Sequence, residues 1–250
     1  MNAHAPEPRT DPVTTEVPGS ASTTCDDRNV AVSGRSLVYS YGSAPALRGI
    51  TVEVAQGELL AVTGPSGSGK STLMLCLAGL LRPDAGEVRL GDRIISAESE
   101  AARSELRRSD IGVLFQFGQL VAELTAAENV ALPLLLSGVK RKPAIAAATT
   151  WLDRFGVADH AESKPTHMSG GQSQRVAAAR AMVTEPRVVF ADEPTGSLDA
   201  LSSEQVMTQI VRVAREASTT VVVITHDSKV AAYCDREIVV RDGLLDGSHS

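Results

Sequence analysis

A chain of 250 residues can form one large α/β domain or two small ones, and its 43% hydrophobic and 22% charged residues are typical of a globular protein. Only 3% of the residues are aromatic, so the core has to be built mainly from Val, Leu, Ile and Ala. The net charge of −6 argues against nucleic acid as a partner, because domains that bind nucleic acid are usually basic.

Further absences bear on the compartment in which the protein works. The longest apolar run, residues 130–136, is interrupted by Pro133 and falls far short of the roughly 20 residues that a membrane-spanning helix needs. No basic patch followed by an apolar run marks a secretory signal. The three widely spaced cysteines form no disulfide framework and no zinc motif, which favours a reducing cytoplasm. We therefore expect a cytoplasmic protein that depends on another chain if it works at a membrane.

The chain changes character near residue 34. Residues 1–33 are dominated by Pro, Ala, Ser, Thr and Asp, and they predict a disordered N-terminal extension. Order is expected to begin near Leu37, in one domain over residues 34–245, with a short tail at 246–250. The predicted elements of its first half are short strands at 36–41, 50–54, 88–90 and 94–95, apolar strands at 59–63 and 111–115, and a buried helix at 70–81.

A helical pattern then occupies the middle of the chain, from about residue 118 to 167, and it is clearest at 144–155. Apolar strands that alternate with helices follow, and they predict a mainly parallel sheet that is covered on both faces. The elements predicted here are helices at 169–183 and 202–217, strands at 188–191, 220–225 and 238–240, and an Asp-Gly turn at 242–243.

The most specific motif lies between the strand at 59–63 and the helix after it. It reads G-P-S-G-S-G-K-S-T and matches the pattern G-x-x-x-x-G-K-[ST] of phosphate-binding loops. Glycines let backbone N–H groups surround phosphate oxygens, the lysine reaches the β- and γ-phosphates, and the first serine after it binds Mg²⁺. The alternative is a Gly-rich connector. The residues predicted to bind ATP are Gly64, Pro65, Ser66, Gly67, Ser68, Gly69, Lys70, Ser71 and Thr72.

A second motif is the apolar strand at 188–191, which runs into two carboxylates, Asp192 and Glu193. In open α/β sheets, ligands bind at the carboxyl ends of the strands. Asp192 is therefore a candidate Mg²⁺ ligand, and Glu193 is a candidate to polarise an attacking water. Taken alone, the pair would more often be a strand that ends in a solvated acidic turn, and the presence of the phosphate-binding loop reverses that preference.

A third motif, Ser169-Gly170-Gly171-Gln172, precedes a helix and predicts a second anion-binding nest. Ser169 is also a suitable N-cap for that helix, and the two interpretations are compatible. Since one nucleotide does not need two nests from the same chain, we expect a second copy of the chain to present its nest to the γ-phosphate. The motif therefore predicts a head-to-tail dimer with two ATP molecules at its interface.

In this order, over residues 36–241, the motifs resemble those of ABC-type ATPase domains. The resemblance implies a P-loop NTPase fold with a RecA-like α/β core, an antiparallel β subdomain and an α-helical subdomain at about 117–168. It further implies that Tyr41 stacks on adenine, Gln116 senses Mg²⁺ and water, Asp199 lies in a loop at the dimer interface, and His226 contacts the γ-phosphate. Without it, these four residues are an ordinary strand aromatic, a loop glutamine, a helix cap and a polar loop residue. The implied catalytic residues are Lys70, Gln116, Glu193 and His226, and the implied Mg²⁺ ligands are Ser71, Gln116 and Asp192.

The segment A-D-E-P-T-G-S-L-D at 191–199 resembles the group of macrolide-export, lipoprotein-release and FtsE-type ATPases. That implies a separate FtsX-like permease, a position at the inner face of the cell membrane, and export or extrusion of a lipid, lipoprotein or peptide. Met168 stands where leucine is usual, and Ser173 where glutamine or glutamate is usual. Three rivals remain: an FtsE-type ATPase that transmits force to cell-wall processes, a soluble ABC ATPase without a transport role, and a regulatory subunit that does not hydrolyse ATP.

Overall fold

The computed structural model describes Met1 and residues 29–246. Within that part of the chain, no helix is long and apolar enough to cross a membrane. The helices and strands are β1 Val30–Tyr41, β2 Ala44–Ala55, β3 Leu59–Thr63, α1 Lys70–Leu77, β4 Ala85–Leu90, β5 Arg93–Ile94, α2 Glu100–Ser109, β6 Ile111–Leu114, α3 Ala126–Leu136, α4 Arg141–Arg154, α5 Gly170–Met182, β7 Val188–Asp192, α6 Ala200–Ala217, β8 Thr220–Ile224, α7 Ser228–Ala231, β9 Arg236–Arg241 and β10 Leu244–Leu245.

The larger sheet has the strand order β10-β9-β3-β8-β7-β6. Strands β9 to β6 pair in parallel, and β10 pairs antiparallel with β9 at the edge. Every residue of β3 and β8 is buried, which explains why both strands consist almost wholly of Leu, Val, Ile, Ala and Thr. The prediction of a mainly parallel sheet is confirmed, and it brings the carboxyl ends of β3 and β7 to one edge.

The smaller sheet, β2-β1-β4-β5, is antiparallel throughout and forms the predicted β subdomain. Its first strand begins at Val30, and Ala31 and Val32 are fully buried. The predicted disorder up to residue 33 is therefore wrong for residues 30–33, and order begins well before Leu37. The short Val-Ala-Val pattern is a strand only because it pairs with β2 and β4. The rest of the predicted extension, residues 2–28, lies outside the described residues.

Helices α3 and α4 form the helical subdomain and pack on α5. α3 begins at a capping box made by Thr125 and Glu128. Residues 117–124, which the prediction includes in the helical region, form turns instead, because Gly118 and Gln119 have positive φ values of 65° and 47°. Helix α2 is absent from the prediction, since Leu106 is its one buried residue and the helix contains few other apolar side chains.

Candidate active site

The phosphate-binding loop (the P-loop, residues 64–72) connects β3 to α1, and its backbone depends on glycine. Gly64, Gly67 and Gly69 have φ values of 137°, 77° and 105°. A Cβ atom at Gly64 would lie 2.0 Å from the carbonyl oxygen of Val240, and one at Gly69 would lie 2.4 Å from that of Ala46. Only glycine permits both the left-handed conformation and this close approach of neighbouring backbone.

Polar groups inside the P-loop are suited to an anion. The side chain of Lys70 is buried, and its Nζ donates hydrogen bonds of 2.9 Å to the carbonyl oxygens of Gly64 and Pro65. The hydroxyl of Ser68 is buried and has no hydrogen-bond partner within residues 29–246. Helix α1 starts at Gly69 without a side-chain cap. A lysine, an unpaired buried hydroxyl and an uncapped helix start in one loop fit a phosphate group.

Ser71 of α1 and Asp192 of β7 lie next to each other, with 3.4 Å between Ser71 Oγ and Asp192 Oδ1. Burial raises the pKa of Asp192 and the charge of Glu193 raises it further, whereas the hydrogen bond from Ser71 and the charge of Lys70 lower it. A hydroxyl and a carboxylate are oxygen ligands of the kind that Mg²⁺ takes together with phosphates and water. Within residues 29–246, no three His, Cys, Asp or Glu side chains cluster to hold an ion by themselves. The pair therefore fits a Mg²⁺ that is shared with a nucleotide.

Glu193 and His226, far apart in sequence, are in contact. His226 Nδ1 lies 2.8 Å from Glu193 Oε1, and Thr225 Oγ1 lies 3.5 Å from Glu193 Oε2. Glu193 has a φ of 45°, a conformation that is uncommon for a residue with a side chain, and its backbone N–H is held by the Ile224 carbonyl oxygen at 2.9 Å. Its carboxylate is 18% exposed, whereas the imidazole is 69% exposed. A shielded carboxylate beside an exposed imidazole is an arrangement that can position a water molecule.

Gln116 follows β6 and is half-buried. A Cβ atom at Gly196 would lie 3.0 Å from the Nε2 of Gln116 and 3.4 Å from the Cβ of Glu193. The absence of a side chain at Gly196 therefore leaves room for the Gln116 amide next to the stem of the Glu193 side chain. Gly196 lies within the 191–199 segment and Thr225 directly precedes His226, but neither is among the predicted site residues, because spacing in the sequence does not show which side chains they contact.

The nest (residues 169–172) is closed by hydrogen bonds of its own. Ser169 caps α5: its Oγ accepts from the Gln172 backbone N–H at 3.2 Å, and its own N–H donates to Gln172 Oε1 at 2.8 Å. Ser169 and Gly170 are exposed. None of the hydrogen bonds of residues 29–246 joins the nest to the P-loop of the same chain. Gly171 lies against Ser202, where a Cβ would come within 3.4 Å of the Ser202 Cβ.

The two remaining predicted residues lie on other elements. The carboxylate of Asp199 caps α6 by accepting from Ser202 N–H at 2.9 Å and from Ser202 Oγ at 2.7 Å, and these hydrogen bonds lower the pKa of Asp199. This is the helix-cap interpretation, and a dimer contact is compatible with it. Tyr41 ends β1, is 53% exposed, and meets Tyr39 edge-to-face with 5.0 Å between ring centroids. An exposed ring on a second aromatic is available for stacking.

Helix α5 also holds the loop that carries Gln116. Arg180 donates to the carbonyl oxygens of Gly118 and Gln119 at 2.6 and 2.9 Å, and Gln174 donates to that of Phe115 at 3.2 Å. Burial lowers the pKa of Arg180. The nest and the Gln116 loop are therefore attached to the same helix. The sequence shows these side chains on α5 but gives no sign of their partners some 60 positions away.

Comparison with protein-family models finds one match, to the family described as "ABC transporter", over residues 47–196. The chain is similar to the lipoprotein-releasing system ATP-binding proteins LolD of Porphyromonas gingivalis, with 40% identity over 86% of this chain and 98% of the relative, and of Geobacter metallireducens, with 44% identity over 84% and 95%. It is similar also to the uncharacterized ABC transporter ATP-binding protein YvrO of Bacillus subtilis, with 45% identity over 84% and 92%.

Among solved structures, the chain is similar to the ATP-binding cassette MJ0796. The TM-score is 0.79 and the identity is 34%, over 86% of this chain and 96% of that one. MJ0796 has been solved as a dimer in a post-hydrolysis state bound to ADP and Pi. At this identity the similarity extends to the fold and to most of the chain.

Proposed function

This chain belongs to the ABC transporter family as an ATP-binding subunit that hydrolyses ATP, and we propose that two copies of it close head-to-tail around two MgATP to drive a separate membrane permease. In the proposed dimer, the P-loop of one copy holds the nucleotide and the nest of the other copy covers its γ-phosphate. The reaction is the conversion of ATP and water to ADP and phosphate, by in-line attack of water on the γ-phosphate.

One observation carries the proposal. A single chain carries two segments suited to anions, the P-loop and the nest. Ser169 and Gly170 of the nest are exposed, and no hydrogen bond among residues 29–246 joins the nest to the P-loop of the same chain. The dimeric state in which MJ0796 was solved with ADP and Pi supports the same arrangement for this chain. Closure of the dimer would bring each nest to the phosphate that the partner's P-loop binds.

The described contacts suggest what each side chain does. Lys70 already lies in the loop, so it can exchange the Gly64 and Pro65 carbonyl oxygens for phosphate oxygens with little movement. Ser71 and Asp192 would hold Mg²⁺, which neutralises phosphate charge when it is bound. Glu193 would accept a proton from water while His226 turns from Glu193 towards the γ-phosphate.

An exposed apolar segment after Gln116 suggests where the permease docks. Phe117, which directly follows Gln116, is 72% exposed, and Val121, in the same loop, is 37% exposed. Leu120 is half-buried against the core of the helical subdomain and is less available. We infer that the subunit binds at the inner face of the membrane through an FtsX-like permease that meets Phe117 and Val121. Contacts at this place would reach the nucleotide site through Gln116.

Lipoprotein release is named for several relatives, and export of a lipid, lipoprotein or peptide is therefore the favoured role here. The same ATPase chemistry would serve an FtsE-type subunit that transmits force without moving a substrate. The two roles differ in the permease and not in this chain. Copurification of the permease, followed by measurement of lipid or lipoprotein release from vesicles that contain both proteins, would separate them.

The dimer is tested with Glu193→Gln, which removes the base but keeps the size and hydrogen-bonding shape of the side chain. We expect this variant to bind MgATP, to hydrolyse it at least about 100-fold more slowly than the wild type, and to elute as a dimer in light-scattering chromatography with MgATP. Glu105→Gln, on the exposed face of α2, is the matched control and should behave as the wild type. Wild-type turnover, or a monomer that is saturated with ATP, would contradict the proposal.

A further inference from the structure

The side chain of Gln172 has a second partner outside the nest, the imidazole of His160. The distance between Gln172 Nε2 and His160 Nε2 is 2.8 Å. His160 ends a short 3-10 turn, Ala158–His160, that follows α4. Both side chains are partly buried. A contact of this length between two nitrogens is a hydrogen bond only if one of them donates and the other accepts.

The chemistry of the contact fixes the proton on His160. The backbone N–H of Ser169 can only donate, so the atom of Gln172 that faces it has to be Oε1. The amide nitrogen of Gln172 then faces His160, and an amide nitrogen also only donates. His160 Nε2 must therefore accept. The contact therefore requires the tautomer of His160 that carries its proton on Nδ1.

We propose that His160 is a positioning residue for the phosphate nest: in its neutral form it orients Gln172, which holds Ser169, and protonation of the imidazole loosens the nest. The inference rests on the proposed closure of two copies around ATP, because it is in the closed dimer that the geometry of the nest matters. If His160 has this role, the MgATP-dependent closure of two copies should be stronger with a neutral imidazole and weaker with a protonated one.

Protonation leaves no arrangement in which all the hydrogen bonds survive. With His160 charged, two donors face each other at the 2.8 Å that now separates the nitrogens. If the amide of Gln172 turns over, its oxygen satisfies the imidazolium, but its nitrogen then faces the N–H of Ser169. One hydrogen bond is lost in either case. In the first arrangement Gln172 is no longer oriented by His160, and in the second the backbone N–H of Ser169 loses its acceptor. Histidine is the side chain whose charge ordinarily changes between about pH 5 and 8.

Some of the charged residues around this turn are engaged elsewhere, and others have no ion-pair partner. Arg175 of α5 donates to the carbonyl oxygens of Phe155, Gly156 and Gly171. On the helices packed against the turn, Glu128 pairs with Arg141, and Arg154 pairs with Glu216. The remaining charged or titratable groups nearest in the chain are Asp153, Asp159, Glu162, Lys164 and His167, none of which has an ion-pair partner within residues 29–246.

A first experiment needs no nucleotide. Long-range ¹H–¹⁵N correlation spectra of the ligand-free protein at about pH 8 report which ring nitrogen carries the proton. We expect the Nδ1–H form for His160, assigned by its loss in His160→Gln. The Nε2–H form, or rapid exchange between the two, would overturn the proposal directly. This measurement also keeps the proposal testable if a variant of His160 fails to fold.

A second experiment measures closure in the Glu193→Gln background, as the MgATP-dependent dimer fraction at about pH 8 and about pH 6. With native His160 we expect the dimer dissociation constant to rise about tenfold per nest at the lower pH. His160→Gln offers an acceptor that does not titrate and should restore closure at both values. His160→Lys presents a permanent donor and should weaken closure at both. His167→Gln, on an exposed neighbouring turn, is the control and should keep the native pH dependence.

The outcomes separate the two claims. If no variant forms a dimer with MgATP at either pH, the proposed closure itself is wrong. The alternative is a dimer that forms while His160→Gln keeps the pH dependence of the protein with native His160, or while His160→Lys closes as well as that protein. Either result would show that the positioning role is wrong and that the proposed dimer is right.

Discussion

Replacing Arg180 by methionine should separate the Gln116 loop from α5 while leaving the P-loop intact. The substitution keeps most of the length of the side chain but removes hydrogen bonds to the carbonyl oxygens of Gly118 and Gln119, at 2.6 and 2.9 Å. Two hydrogen bonds from a charged donor, less the desolvation that the guanidinium no longer undergoes, amount to about 3 kcal/mol of unfolding free energy. For a domain of this size, that corresponds to a fall in melting temperature of about 6–12 °C.

The functional consequence of Arg180→Met follows from the position of the loop. A Cβ atom at Gly118 would lie 3.1 Å from the Ala177 side chain, so the loop packs closely on α5. Besides Arg180, α5 reaches the loop through the uncharged side chain of Gln174, which donates to the Phe115 carbonyl oxygen at 3.2 Å. Once released, the loop should misplace Gln116 and lower kcat about tenfold or more, while binding of a fluorescent ATP analogue to the P-loop stays within about twofold. The assays are calorimetry, steady-state hydrolysis and nucleotide titration.

The control for this prediction is Arg108→Met, which removes an exposed arginine from α2. It should change the melting temperature by no more than about 1 °C and leave turnover unchanged. If Arg180→Met is as stable and as active as Arg108→Met, the two carbonyl contacts do not position the loop. If it loses nucleotide binding together with turnover, the effect has spread to the P-loop and the reasoning about a local anchor is refuted.

Three further predictions concern other parts of the chain. Lys70→Ala should lower ATP affinity and hydrolysis by about 100-fold or more, because it removes the cation from the P-loop, and Lys142→Ala on the exposed face of α4 should do neither. Deleting residues 2–28 should leave hydrolysis unchanged, whereas deleting 2–33 should lower the melting temperature by several degrees because it removes the buried Ala31 and Val32 from β1; equal stability of the two deletions would count against this. Phe117→Glu should abolish stimulation by the permease but keep basal hydrolysis, and undiminished stimulation would place the docking surface elsewhere.

The sequence predicts best those elements whose burial is complete. β3 is predicted to the residue, and β7 and β8 to within one residue, because every position of these strands except Asp192 is buried and therefore apolar or Thr. β2 begins at Ala44, six residues before its predicted start at residue 50, since its first half is largely exposed and mixes Pro, Arg and Gly. α2 is missed by the sequence-based prediction for a related reason, since it packs against the core through one leucine, Leu106. A strand that is buried on both faces is apolar along its whole length and can be recognised in the sequence. An element that contacts the core through one or two side chains has no such pattern.

The residues of the candidate site also fall into two groups, those that a local motif predicts and those that only the fold brings together. The P-loop is one continuous segment of sequence, and the two carboxylates at the end of β7 are adjacent residues. The sequence therefore predicts phosphate binding for the first and, together with it, Mg²⁺ binding and water activation for the second. The contact of His226 with Glu193, the room left by Gly196 and the anchor from Arg180 each join residues that only the fold brings together. Gln172 belongs to the recognised motif, yet its partner His160 is twelve positions earlier, in a turn without periodicity. These contacts are the part of the site that has to be seen in three dimensions.

The head-to-tail arrangement can be tested with two inactive variants. Gly170→Asp places a carboxylate at the first residue of α5, where the helix dipole favours it, so the fold should survive while the charge repels the γ-phosphate. The Gly170→Asp variant keeps an intact P-loop, and the Lys70→Ala variant keeps an intact nest. If each ATP lies between the P-loop of one copy and the nest of the other, a mixed dimer has one intact site and one that is doubly defective. Random mixing of equal amounts should therefore restore roughly a quarter of wild-type hydrolysis per chain. If each chain used its own nest, both sites of every dimer would stay defective and mixing would restore nothing.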